Sequence, residues 1–372
     1  MADREPEHAH LSFALALHRS VAGAAGDSCL SPYSVASALT LAARAARGDT
    51  AGELAHLLAG SPAGLPEQAA LLRAAAELAE PAERQEEPVL AVANTLWAWE
   101  KLPIRDEFRA ELAGWVGGRV ATAPFAEDPE GARRIINDDI DRATHGLVPE
   151  LLTPGTVRDD TVAALVNALY LRTAWVFPFP ESDTAEADFT APDGVRRVPT
   201  MYQVERLGYA ADAGWQVVSL PAVGGVQAVV LLPDGDLADR EPGLDADTLG
   251  RLLAGTRERL VHLWLPRIRL DLRSELTRPL RALGVRTMFT SAADFGGLTD
   301  DPRLLVSDVL HQAVLRLDER GLEGAAATAV MMRLVMMPEG DPVEVRVDRP
   351  FLLLVRHAMT GAVYFLARIT RP

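Results

Sequence analysis

Apolar positions recur at helical spacing through the first third of the chain and at strand spacing through much of the remainder. Residues 9–21 place Leu11, Leu15 and Leu17 among the apolar positions of a short amphipathic helix. Ser31 caps a second helix over 33–46, with Pro32 in its first turn. The helical pattern continues over 50–58, 67–79, 106–112 and 128–144, interrupted by a strand candidate at 90–99. From Val162 the period changes. Residues 162–171 are nearly all apolar, which suits a strand buried on both faces. Residues 215–220 and 227–232 read as neighbouring strands around Gly224-Gly225, and 262–270 alternates around Pro266. A helix is expected over 273–282, then strands over 311–318, 343–347, 351–357 and 363–369. Helices first and antiparallel strands later predict an α+β fold rather than a regular βαβ repeat.

One segment breaks the pattern. Residues 319–341 form a long connection between two strands, and such connections in compact domains are usually functional. It is largely apolar, with Arg333 its only charge between Glu323 and Glu339, and it opens on small side chains. Laid out as a strand, it puts Leu322, Gly324, Ala326, Thr328 and Val330 on one face and Glu323, Ala325, Ala327 and Ala329 on the other. The first set could enter a crowded sheet at little steric cost, while Glu323 faces solvent. An exposed alanine-rich helix is the competing reading. Met331, Met332, Met336 and Met337 offer adaptable contacts to a protein partner rather than soft-metal ligands.

Bulk composition narrows the function. The 372 residues carry no Pro/Gly/Ser linker, so a single domain over 1–372 is expected. Thirty-seven basic against 52 acidic residues give a net charge of −15, which disfavours nucleic acid and anionic membranes as partners. Cys29, the sole cysteine, allows no intrachain disulfide and reads as a buried thiol. No apolar run reaches the ~20 residues of a membrane span. The first residues lack secretory character, so a cytoplasmic location is expected, or a secreted one if a signal peptide has been removed. No nucleophile elbow, zinc-protease motif, phosphate loop or dinucleotide fingerprint occurs, and neither metal nor cofactor is expected. His8 and His10 read as solvated, and Asp138, Asp139 and Asp141 as a solvated helix face.

Several separated motifs together resemble the serpins, in particular a prokaryotic member, over nearly the whole chain. They are Ser31-Pro32-Tyr33-Ser34 followed by Ala45-Ala46-Arg47-Gly48-Asp49-Thr50, and Asn137 twelve residues after Phe125. Leu165-Val166-Asn167-Ala168-Leu169-Tyr170, Trp175-Val176-Phe177-Pro178-Phe179, residues 284–298 and Asp348-Arg349-Pro350-Phe351 complete the set. The resemblance implies about nine helices, three β-sheets and a mobile reactive centre loop, with hinge and loop over 319–341. It places Ser31, Ser34, Asn167 and His311 in a shutter beneath the opening of the central sheet. His311 read alone would be a satisfied core histidine. Trp175, Arg267 and Glu319 are implied for the breach, where the loop first inserts. Glu319, Gly321, Leu322, Gly324, Ala325, Ala326, Ala327 and Thr328 are implied for the hinge.

The chain also departs from the family pattern. Asp139 stands where the family usually has tryptophan, and Ala367 and Arg371 where it has glycine and asparagine. Leu322 and Gly324 replace the Thr, Ser or Val and the Ala common in inhibitory relatives. Neither is charged, so insertion stays feasible, although Gly324 weakens strand propensity. The implied activity is suicide inhibition of a serine protease by a monomer that contributes bait and stored free energy, not catalytic residues. Counting seventeen residues from Glu319 sets the reactive bond at Val335–Met336, which implies an elastase-like or subtilisin-like target. A shifted register would put Leu334 or Met332 before a chymotrypsin-like pocket, or Arg333 before a trypsin-like one. A non-inhibitory binding or storage protein is the alternative, supported by Leu322 and Gly324.

Overall fold

The computed structural model describes residues 5–23, 26–82, 85–112, 118–159, 161–301, 303–322 and 341–372. Nine α-helices lie among them: α1 (Glu5–Val21), α2 (Pro32–Ala45), α3 (Gly48–Ala59), α4 (Leu65–Ala74), α5 (Asp106–Leu112), α6 (Pro129–Ala143), α7 (Leu237–Arg240), α8 (Ala246–Gly255) and α9 (Thr277–Ala282). The strands are β1 (Ser28–Leu30), β2 (Val89–Trp99), β3 (Gly118–Ala123), β4 (Ala163–Ala174), β5 (Ala185–Ala191), β6 (Gly194–Asp212), β7 (Trp215–Ala222) and β8 (Val226–Pro233). They continue with β9 (Arg257–Pro266), β10 (Ile268–Glu275), β11 (Val309–Leu317), β12 (Gly321–Leu322), β13 (Val343–Arg346), β14 (Phe351–His357) and β15 (Val363–Ile369). The mixture is α+β.

A central sheet runs β10-β11-β12-β4-β2-β3. The remaining strands order as β1-β15-β14-β8-β7-β6-β9-β13, with β5 beside β6. Three sheets were expected, and the described strands form two hydrogen-bonded sheets. The reason is β6, whose 19 residues pair with β5 and β9 over most of their length and with β7 at the end. One strand thereby joins what would otherwise be two smaller sheets.

Burial explains why β4 reads as an apolar run, and it shows that β11, expected only as a strand, is covered on both faces too. On one face they meet the main core, where Leu165, Leu169, Leu315 and Leu317 join Tyr33, Leu39 and Leu41 of α2. On the other, Val166, Ala168 and Val314 pack with Ile136 and Ile140 of α6. A strand covered on both faces has no solvated side to mark with polar residues. Helix α2 is itself buried along nearly its whole length, which its small residues allow. Its N-cap is Ser31, whose hydroxyl accepts from the Ser34 N–H.

Four expectations are corrected by the structure. Residues 262–270 are not one strand: β9 ends at Pro266 and β10 starts at Ile268, in different ladders, because Arg267 turns the chain while its N–H donates to Pro199 O. Residues 273–275 extend β10 against β11, so the following helix begins at Thr277. His10 is not solvated. Helix α1 starts early enough to turn it fully inward, where it lies 3.1 Å from Gln68 Nε2 and accepts the Val363 N–H at 3.0 Å. Asp139 likewise leaves the solvated face: it is buried and paired with Arg119. Cys29 is buried, and burial pushes its thiol pKa up.

Candidate functional site

The distinctive feature of the central sheet is a two-residue strand wedged between two longer ones. At one end of the sheet β11 and β4 pair directly, Val309 with Leu165 through His311 with Asn167. At the other end Leu322 of β12 sits between them, in register with Leu317 of β11 and Thr173 of β4. Residues 312–316 and 168–172 lie between these two points, and no ladder pair joins them among the described residues. The sheet is therefore parted to a strand's width where residue 322 enters it. Gly321 is needed at the point of contact. A Cβ there would stand 2.1 Å from Thr173 O, so only glycine lets the two backbones pair.

A compact polar cluster holds the chain where it turns into the wedge. Arg267 Nε donates to both oxygens of Glu319 at 2.9 and 3.0 Å. Thr184 Oγ1 donates to the same carboxylate at 2.5 Å, and the Phe179 N–H to Glu319 O at 2.9 Å. Trp175 closes the cluster from the end of β4. Its indole N–H donates to Asp318 O at 2.8 Å and its backbone N–H to Arg320 O at 2.9 Å. Burial pushes the Glu319 carboxyl up, but the bonds from Arg267 and Thr184 outweigh it and hold the pKa below the ordinary value. Arg320 pairs outward with Glu181 at 2.9 Å. A cavity of about 690 Å³ opens beside this turn, lined in part by Arg269, Asp271, Arg316 and Asp318.

The chain that folds into this parted sheet, with a tethered strand at its mouth and a buried Ser31–His311 contact, matches a family model over most of its length. The sequence model described as serpin (serine protease inhibitor) covers residues 8–372. The chain belongs to the serpin family.

Relatives agree with the assignment. The bovine leukocyte elastase inhibitor is 33% identical over 362 residues, covering 94% of each chain. An uncharacterized serpin-like protein of Thermococcus kodakarensis is 29% identical over 373 residues, 97% of this chain and 84% of that one. The crystal structure of human thyroxine-binding globulin superposes with a TM-score of 0.86 at 23% identity, covering both chains completely. That last likeness bears on fold alone.

In this serpin the sequence-derived residues fall into three groups. Glu319, Arg267 and Trp175 are brought together, joined by Gly321 and Leu322. Ser31, Ser34 and His311 meet in the core. The Ser31 N–H donates to His311 Nε2 at 3.0 Å, and burial lowers the His311 pKa to about 4, so the ring is neutral there. The backbone of Asn167 stands in register with His311 on one side and Asn94 on the other. The third group lies outside the described residues: Gly324, Ala325, Ala326, Ala327 and Thr328 of the hinge, and Met332, Arg333, Leu334, Val335 and Met336 around the reactive bond. Asn137 pins the loop after α6 by a reciprocal pair with Leu152, each bond 2.8 Å.

Thr184 and Asp318 were not anticipated. Thr184 lies 135 residues from the carboxylate it binds, and nothing in its local sequence marks it. Asp318 could have been suspected, as an acid before a glycine turn; its carboxylate accepts the backbone N–H groups of Arg320 and Gly321. Among the described residues no group of three His, Cys, Asp or Glu could hold a metal ion, and no helix is long and apolar enough to cross a membrane.

Proposed function

We propose that this serpin inhibits serine proteases as a suicide substrate. A target serine attacks the loop and forms its ordinary acyl-enzyme. Cleavage frees the segment that begins at Glu319, which continues the strand already started at Gly321–Leu322 and extends the central sheet. The attached protease is carried along, and distortion of its triad and oxyanion hole stops deacylation. The intact fold is thus held kinetically above a more stable one. The serpin supplies no catalytic group.

The observation that carries this reading is Leu322 in register with both Leu317 and Thr173. A non-inserting loop has no need of a hinge paired on both sides, nor of a glycine fitted against the neighbouring strand. The Glu319–Arg267 and Glu319–Thr184 contacts fix where insertion begins. Ser31 and His311 secure α2 to β11 where β11 and β4 still meet, a site suited to resist or permit parting.

The bond proposed for attack is Val335–Met336, with an elastase-like or subtilisin-like protease as target. The likeness to a leukocyte elastase inhibitor supports that class. Leu334 or Met332 would redirect the loop to a chymotrypsin-like enzyme, and Arg333 to a trypsin-like one. The likeness to the Thermococcus protein is what supports a prokaryotic source. A single-domain monomer is proposed, measurable by sedimentation, and a cytoplasmic location, measurable by fractionation of the source cells.

A panel of elastase-like, subtilisin-like, chymotrypsin-like and trypsin-like proteases decides the matter. Incubation followed by denaturing gels and intact-mass analysis is expected to give a denaturation-resistant adduct, with the released C-terminal peptide naming the bond. Complete cleavage with no adduct and undiminished protease turnover across the panel would establish the non-inhibitory alternative instead.

A further inference from the structure

The two strands that flank the wedge are parted without any slip of register. Where they meet directly, Val309 pairs with Leu165 and His311 with Asn167. Leu317 lies six residues beyond His311, and Thr173 six beyond Asn167. Those are the two residues between which Leu322 sits. Closing the sheet would therefore bring residues 312–316 against 168–172 in the register that the paired end already has. Five further rows of direct pairing stand against the one row that Leu322 fills. Backbone groups favour being paired, so a parted sheet needs something besides Leu322 to keep it open.

The β11 side of the gap is held throughout, since β10 pairs with it from Ile268–Leu317 to Glu275–Leu310. On the other side β4 pairs with β2, and its tip is also tied to the second sheet. Thr173 Oγ1 donates to Val223 O at 2.7 Å, in the turn between β7 and β8. Two residues on, Trp175 bridges to Ala222, and the Val176 N–H donates to Pro221 O at 3.0 Å. That turn is fixed in its own right. The Ala79 N–H donates to Gly224 O at 3.0 Å, and the Ala358 N–H to Gly225 O at 2.7 Å. Thr173 and Val223 are both buried, so the hydroxyl bond is shielded from water. Thr173 thus meets the hinge through its backbone and the second sheet through its side chain.

We propose that Thr173 is a positioning residue for inhibition, its hydroxyl holding the tip of β4 away from β11 so that the mouth of the gap stays open to the loop. Resting on the inhibitory reading above, this gives one side chain a part in the competition that follows acylation. The acyl-enzyme is either hydrolysed or trapped, and a mouth already open favours trapping. Neighbouring strands lie ~4.8 Å apart, so β11 and β4 must stand at about twice that distance for a strand to enter. The tie requires a donor, because Val223 O can only accept, and a threonine hydroxyl supplies one.

The test compares full-length wild type with Thr173→Val and Thr173→Ala, which lack the hydroxyl, and Thr173→Ser, which keeps it. Tyr364→Phe removes a buried hydroxyl bond to Ala75 O and controls for lost stability alone. Amide hydrogen exchange is measured first, on the intact protein without protease. Exchange in 312–316 and 168–172 should slow by about three- to tenfold in the hydroxyl-free variants, as those segments pair with each other. Exchange at 321–322 should rise by a similar factor, while Thr173→Ser and Tyr364→Phe follow wild type. With a protease that wild type traps, Thr173→Val should consume about three- to tenfold more molecules per protease captured, at an unchanged rate of first attack on the loop. Thr173→Ser should restore the wild-type ratio. Wild-type exchange in both segments of Thr173→Val and Thr173→Ala, with only a lowered unfolding midpoint, would overturn the proposal and leave the inhibitory reading standing. A wild type that traps no protease would instead overturn the inhibitory reading, and with it this role in trapping, whatever the exchange shows.

Discussion

Replacing Glu319 by glutamine removes the charge that anchors the hinge. The Glu319 side chain is 5% exposed and that of Arg267 40%. Four contacts converge on the carboxylate: two from Arg267 Nε, at 2.9 and 3.0 Å, one from Arg267 Nη2 at 2.7 Å, and one from Thr184 at 2.5 Å. A fully exposed ion pair contributes ~0–1 kcal/mol, whereas breaking a buried one costs ~3–5 kcal/mol because a charge is stranded. Here the remaining guanidinium stays accessible to water, so the stranding penalty is partial, while charge-assisted bonds are weakened on the buried side. The expected loss is about 2 kcal/mol. With ~2.1 cal/mol/K of unfolding entropy per residue over 372 residues, that lowers the unfolding midpoint by ~2–3 °C.

The assay is thermal unfolding of the intact protein at pH 7 for Glu319→Gln, Arg267→Gln and the double variant. Each single variant should show the full drop, and the double should lose little more than the worse single, since both remove one shared interaction. The sign with pH follows from the depressed carboxyl pKa. Its contribution is complete above the ordinary carboxylate value and is lost as pH falls through the folded value, so wild type and Glu319→Gln converge in acid. Additive single losses, or unshifted midpoints in both single variants, would refute the anchoring argument.

Other perturbations are equally direct. His10 and His311 are fully buried and held to about 4, against 6.5 when unfolded, so each favours folding above pH 6.5 and loses that contribution as pH falls toward 4. The slope is at most ~1.4 kcal/mol per pH unit per histidine, and His311→Gln should flatten the pH dependence of the denaturant midpoint between pH 7 and 5. Gly321→Val should expel the hinge from its place between Leu317 and Thr173, because its Cβ would collide with Thr173 O; a loop then cleaved with little or no adduct is the expected readout on gels. Asn137→Ala leaves both backbone groups of buried Leu152 without their 2.8 Å partners. A loss of about 2 kcal/mol in urea unfolding is expected, and one below about 0.5 would show that water replaces the side chain.

What could be read from the chain alone was local. Helical spacing located α1 and α3 because each buries one stripe of its own surface, Ser31-Pro32 marked the start of α2, which is buried nearly all round, and the apolar run of β4 foretold a strand covered on both faces. The small-residue run after Glu319 and its two-residue period identified a segment able to become a strand, although most of that segment lies outside the described residues. Where strands changed partners, local reading failed. Residues 262–270 alternate on either side of Pro266, yet Arg267 divides them between two sheets, since alternation records burial on one face and not the identity of the neighbour.

Contacts between distant segments were settled only by tertiary structure. Glu319 and Arg267 are 52 residues apart, and their contact depends on β10 leaving the turn at Arg267 beside β11. His10 looked solvated among polar neighbours until α1 packed against β15, and Asp139 until Arg119 of β3 reached it. Short-range order follows from backbone geometry and local burial; electrostatic neighbourhoods depend on which strand lies next to which.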